Sequence, residues 1–161
     1  MKILVSACLL GLRCRYDGQS KRMDGLERLL ALPVSLVPIC PEVFGGLPTP
    51  RTPAERQGER IRTRDGRDVT ENYRRGAEEA LRLAQLLGAR TALLKERSPS
   101  CGSGEIYDGT FTGTVVEGWG VTAELLRREG IPVLGESRMG ELLTEGETCL
   151  VKITRDPAKK L

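Results

Sequence analysis

Cys8, Cys40 and Cys101 are the residues of this sequence best placed to do chemistry. Each has Gly, Pro or Ser close by, in Ser6-Ala7-Cys8, Cys40-Pro41 and Ser100-Cys101-Gly102, and each follows a short apolar run. A thiol in such a setting can be a nucleophile, a metal ligand or a packed core residue. The sequence contains no histidine, so it holds no Ser-His-Asp triad, no Cys-His dyad and no imidazole metal ligand. A general base must then be a carboxylate or a less usual group. A transition-metal site must be built from thiolate and carboxylate, which points to iron-sulfur or zinc chemistry. Three cysteines on a 4Fe-4S cluster would leave one iron without a protein ligand, free to act on a substrate as a Lewis acid. Zinc or a purely structural thiol site is the alternative.

The remaining cysteines are less telling. Cys149 lies in Cys149-Leu150-Val151 and reads as a packed thiol. Cys14 is a spare: a fourth ligand, a persulfide carrier or a packed side chain. A phosphatase loop starting at Cys8 would need arginine where Cys14 stands, with Arg13 and Arg15 on either side, so that motif fails by one residue. Cys101-Gly102-Ser103-Gly104 could turn backbone N–H groups toward an anion, but no G-x-G-x-x-G and no P-loop lysine follows it.

Hydrophobic patterning supplies the elements that position these thiols. Lys2 to Ala7, Val34 to Ile39 and Arg90 to Leu94 are short apolar runs of the kind that form buried parallel strands, and Ile131 to Leu134 is a fourth. Met23 to Ala31, Val69 to Leu87, Thr122 to Glu129 and Arg138 to Leu143 have helical period. In the longest, Ala77, Ala80, Leu81, Ala84 and Leu87 share one side, and Gly88 suits its end. Cys149 to Ile153 reads as a last extended segment. Alternation of this sort predicts an α/β fold of three layers, an open and mostly parallel sheet with helices on both faces, Rossmann-like or flavodoxin-like.

In that architecture the carboxyl ends of the strands share one edge, and ligands bind in the crevice there. Cys8 follows the first strand, Cys40 ends the second, and Cys101 lies in the loop after the third. Three thiols far apart in sequence should therefore converge. The segments Cys8 to Gly25, Cys40 to Gly66 and Glu96 to Gly113 read as long loops, which in compact domains tend to carry function. Tyr-Asp-Gly occurs twice, at Tyr16-Asp17-Gly18 and Tyr107-Asp108-Gly109, and reads as a coincidence of turn residues.

Composition bounds the rest. At 161 residues, 39% apolar and 29% charged, the chain suits one ordered globular domain over 1–161. The opening seven residues do not form a signal peptide and no long apolar window follows, so a cytoplasmic protein with no membrane partner is expected. There, cysteines stay reduced. A net charge of +3 does not announce nucleic-acid binding. Arg51, Arg56, Arg60, Arg62, Arg64 and Arg67 form a basic stretch, but interspersed Glu55, Glu59, Asp65 and Asp68 make it read as a solvated loop.

Read together, Ser6-Ala7-Cys8-Leu9-Leu10-Gly11, Cys14-Arg15-Tyr16-Asp17-Gly18, Cys40-Pro41-Glu42-Val43, Gly45-Gly46-Leu47-Pro48 and Ser98-Pro99-Ser100-Cys101-Gly102 resemble the thiouracil desulfidase family. Ile106-Tyr107-Asp108-Gly109-Thr110-Phe111 and Gly118-Trp119-Gly120-Val121-Thr122-Ala123 extend the resemblance to about Ile131. It implies a 4Fe-4S cluster on Cys8, Cys40 and Cys101, and non-redox removal of sulfur from a small thio-nucleobase. It further implies Glu42 as the acid/base carboxylate and Ser98 as the catalytic serine, with Ser100 second choice. The lack of histidine strengthens Glu42, because hydrolysis still needs a base. Two other functions fit the same features: a sulfur carrier that donates sulfide to a partner, and desulfurisation of thiolated tRNA through the basic stretch.

Overall fold

A computed structural model describes residues 1–144. Its elements in chain order are β1 (Lys2–Ser6), a 3-10 turn (Ala7–Leu10), α1 (Leu26–Leu30), β2 (Ser35–Ile39), α2 (Pro41–Phe44), β3 (Ala54–Gln57) and β4 (Arg60–Thr63). Then come α3 (Thr70–Leu87), β5 (Thr91–Leu94), β6 (Ser103–Tyr107), β7 (Val115–Trp119), α4 (Val121–Arg128) and β8 (Val133–Gly135). A 3-10 turn at Glu136–Arg138 leads into helical residues 139–144. The expected extended segment at Cys149 to Ile153 lies outside the described residues.

The central sheet is parallel, in the order β2-β1-β5-β8. Counting only its own strands, this is the flavodoxin-like order, and it reverses between β1 and β5. The pleat sends successive side chains to opposite faces. Ile3, Val5, Leu93 and Leu134 meet Leu26 and Leu29 of α1 and Met139 and Leu142 on one side. Leu4, Ala92, Leu94 and Val133 meet Ala80 and Ala84 of α3 and Ala123 and Leu126 of α4 on the other. Three layers result, as the alternation of elements predicts. Burying one such leucine contributes about 1.5–3 kcal/mol, and Leu93→Ala would cost about 2–5 kcal/mol.

The structure corrects several boundaries. The first helix begins at Leu26, not Met23, because Gly25 has φ +74° and Met23 bonds back to Leu9. The last parallel strand begins at Val133, after Pro132, whose carbonyl accepts the Ala92 N–H at 2.9 Å. One of the three long loops holds the antiparallel hairpin β3–β4, and another holds β6, which pairs antiparallel with β7 just beyond it. The arginine-rich stretch is therefore a hairpin rather than a loop, although Arg60, Arg62, Arg64 and Arg67 are solvated as expected. In β4, Ile61 and Thr63 turn inward, Ile61 against Val69 and Tyr73, while Arg60 and Arg62 turn out. The same alternation puts Glu55 inward on β3. These strands are short and rich in Glu, Arg and Gln, so no apolar run betrays them.

Candidate active site

Cys8 sits in the 3-10 turn after β1, and Cys40 stands one residue past β2 at the start of α2. Register aligns Ser6 with Ile39, and Val5 with Leu93 of β5, so all three strands end at the same edge. From β5 the chain runs through Lys95, whose N–H donates to Ser6 Oγ at 2.9 Å, to Ser98 and Cys101. Cys8, Cys14, Cys40, Cys101, Glu42 and Ser98 all line one cavity of about 500 Å³ at the point where strand order reverses. Such a volume suits a small organic ligand.

Burial pushes the Cys101 thiol up to about 12, against a hydrogen bond from Ser6. Cys40 is raised well beyond a free thiol by its hydrogen bond with Cys14 and by burial. The Cys14 thiol lies between two of the others: its bond with Cys40 lowers its pKa, but its bond with Cys8 and its burial outweigh that. All four described cysteines are free thiols. Among the described residues no group of three or more Cys, Asp or Glu is arranged to hold a single metal ion. Separate thiols lining one cavity suit a cluster, in which three irons take one cysteine each and the fourth is left open.

Glu42 faces the cavity from the first turn of α2. Pro41, the first helical residue, needs no N–H partner there. Arg51 Nε donates to Glu42 Oε2 at 2.6 Å, and the buried Tyr73 hydroxyl is the carboxylate's other partner. Burial and the Glu42 charge hold the Tyr73 phenol well above its ordinary value. The close packing of α2 on α3 depends on two glycines: a Cβ at Gly76 would overlap the Pro41 carbonyl, and one at Gly45 the Asn72 carbonyl. Asn72 Nδ2 completes the seat with a 2.9 Å bond to Gly45 O.

The two serines separate. Ser98 Oγ accepts the Ser100 and Cys101 N–H groups, each at 3.1 Å, and faces the cavity. Ser100 is 0% exposed, with its Oγ 2.9 Å from Thr122 Oγ1, and does not line the cavity.

Sequence reasoning passed over Arg51, Tyr73, Glu55 and Phe111. Arg51 was hidden among unrelated arginines, and Tyr73 stood in a helix whose period explained it. The two Tyr-Asp-Gly tripeptides form the same turn. In both, the Asp Oδ1 accepts the N–H two residues on, Gln19 at 3.0 Å and Thr110 at 2.9 Å, and the glycine has positive φ. Both turns deliver their tyrosine to the cavity.

The basic stretch is largely committed to internal pairs. Arg56 binds Glu124 and the Trp119 carbonyl, Arg60 binds Asp68, and Arg67 binds Asp65. No helix among the described residues is long and apolar enough to cross a membrane.

Comparison with known proteins agrees with this geometry. A solved structure of a 4Fe-4S-dependent thiouracil desulfidase, TudS, is 55% identical with a TM-score of 0.84, covering 89% of this chain and 96% of that one. The uncharacterized protein YbbK of Bacillus subtilis (strain 168) is 43% identical over 151 residues, 88% of this chain and 99% of the relative. The family model described as 2-thiouracil desulfurase matches residues 3–138. With that match spanning both the sheet edge and every residue of the cavity wall, the chain belongs to the 2-thiouracil desulfurase family.

Proposed function

We propose that this protein replaces the sulfur of a thiocarbonyl nucleobase such as thiouracil with the oxygen of water, releasing hydrosulfide, and that it does so with a 4Fe-4S cluster held by Cys8, Cys40 and Cys101. The observation that carries the reading is the convergence of these thiols and Glu42 on one cavity at the sheet's switch point. The similarity to TudS supports the same cofactor and substrate class. When bound, the cluster supplies an open iron with soft-ligand affinity for thiocarbonyl sulfur, which makes the attached carbon electrophilic.

The chain's own residues supply the rest. Glu42, held in place by Arg51 and Tyr73, accepts a proton from the attacking water and returns a proton to the departing sulfur or ring nitrogen. Ser98, held beside Cys101 by two backbone N–H groups, orients that water. The balance is C=S plus water to C=O plus hydrogen sulfide, with no change of oxidation state. Because the arginines of the β3–β4 hairpin are largely paired, a small substrate fits better than RNA.

The test is oxygen-free purification, reconstitution with iron and sulfide, and measurement of absorption and sulfide release from 2- and 4-thiouracil. Multiple turnovers by a brown protein, lost in Cys8→Ser, Cys40→Ser or Cys101→Ser, are expected. Stoichiometric release without turnover would replace the enzyme reading with a sulfur carrier, and absence of any cluster would overturn both.

A further inference from the structure

Aromatic residues make up only 4% of the sequence, one Trp, three Tyr and two Phe. Yet Tyr16, Tyr73, Tyr107 and Phe111 all line the cavity. Phe111 stands out among them. Its φ is +58°, a left-handed conformation that a bulky side chain rarely adopts and that marks strain held for a reason. It belongs to none of the hydrophobic clusters that pack the fold, so core formation does not explain it.

The surroundings are built to keep it there. Glu55, 9% exposed, accepts both the Phe111 N–H at 3.0 Å and the Gly109 N–H at 2.9 Å on one carboxylate oxygen. Gln57 Nε2 donates to Gly109 O at 2.6 Å, so the β3 strand grips the tip of the β6–β7 hairpin from both sides of Gly109. The Arg64 guanidinium lies 5.6 Å from the centre of the Phe111 ring, within reach of a cation–π contact. A buried carboxylate whose partners are loop amides has a positioning task, and the group it positions is a flat apolar face in the wall of the cavity.

We infer that Phe111 is the platform on which the planar ring of the substrate stacks, with Glu55 as its positioning residue, so that the site selects flat aromatic thiocarbonyl rings over non-aromatic thioamides. The inference rests on the desulfidase reading for the identity of the ring. Ring-on-ring stacking accepts any base because each presents a π-face, and the site then discriminates by planarity.

The test uses the cluster-loaded protein, with 2-thiouracil and its ring-saturated 5,6-dihydro analogue as substrates, and calorimetric binding of 2-thiouracil as a readout independent of turnover. Phe111→Leu is expected to weaken 2-thiouracil binding and raise its KM by about tenfold, the effect of losing one stacked ring, and to penalise the dihydro analogue far less. Phe111→Tyr retains the ring face and is expected to restore binding. Glu55→Ala, which frees the loop amides, is expected to reproduce the selective loss with the cluster absorption unchanged. Equal losses for both substrates, or undiminished 2-thiouracil binding by Phe111→Leu, would overturn the platform. If the wild type binds 2-thiouracil through Phe111 but releases no sulfide, the platform stands and the desulfidase reading fails.

Discussion

Arg51 reaches across the cavity wall to hold Glu42, Nε to Oε2 at 2.6 Å, while its other nitrogens donate to the Cys14 carbonyl at 2.9 Å and to Pro48 O and Thr49 Oγ1 at 3.2 Å each. One guanidinium thus ties the proposed base to the loop that carries the fourth thiol. The side chains of the pair are only 7% and 14% exposed. Burial works to lower the Arg51 pKa, but the Glu42 charge and hydrogen bond raise it overall, so the arginine stays cationic.

Breaking a buried pair from one side leaves an uncompensated charge. Arg51→Leu is expected to cost about 3 kcal/mol of folding stability and to abolish most sulfide release. The double variant Glu42→Leu/Arg51→Leu, which buries no charge, should recover much of that stability without activity. Urea denaturation of the single and double variants, compared with turnover per cluster, checks both halves.

Ser98 and Ser100 should respond oppositely to the same change. Ser100→Ala strands the buried Thr122 hydroxyl and removes a hydrogen bond to the Cys101 thiol, and is expected to cost about 1–2 kcal/mol while most turnover per cluster persists. Ser98→Ala removes the acceptor for the Ser100 and Cys101 N–H groups, and is expected to lower turnover and loosen cluster retention. Iron content and sulfide release, measured on both variants, separate them.

Gly76→Ala inserts a methyl into the Pro41 carbonyl at the contact of α2 with α3. Because backbone, not a flexible side chain, must move, the cost is expected at about 1–3 kcal/mol, and α2 carries Glu42 beside Cys40. The expected result is a lower melting temperature together with poorer cluster uptake on reconstitution. A variant that melts early but loads its cluster normally would uncouple the helix seat from the site.

Acid should weaken the start of α3. Hydrogen bonds from the Thr70 side chain and backbone, then from Arg60, hold the Asp68 carboxyl far below its ordinary 3.8. A depressed folded pKa means stability that is present above 3.8 and lost as pH falls below it. Asp68→Asn is expected to flatten the fall in melting temperature between about pH 5 and pH 2, and unchanged slopes would remove Asp68 from acid unfolding.

The parallel sheet was legible in the sequence because buried strands announce themselves as apolar runs and amphipathic helices by their period. Convergence of Cys8, Cys40 and Cys101 followed from that alternation, since parallel strands must end on one edge. The absence of histidine narrows the chemistry by composition alone. What only the tertiary structure decided were relations between segments that carry no periodic signal of their own. The hairpins β3–β4 and β6–β7 are joined by Glu55, Gln57 and Arg56 reaching from the first to Gly109 and Trp119 of the second, bonds that exist only once both partners are placed. Whether Ser98 or Ser100 meets the cavity depends on a turn two residues long, which local composition cannot orient. And Arg51 is one arginine among six in its stretch until the fold sets it against Glu42, because a side chain's partner is fixed by distance in space and not by spacing in the chain.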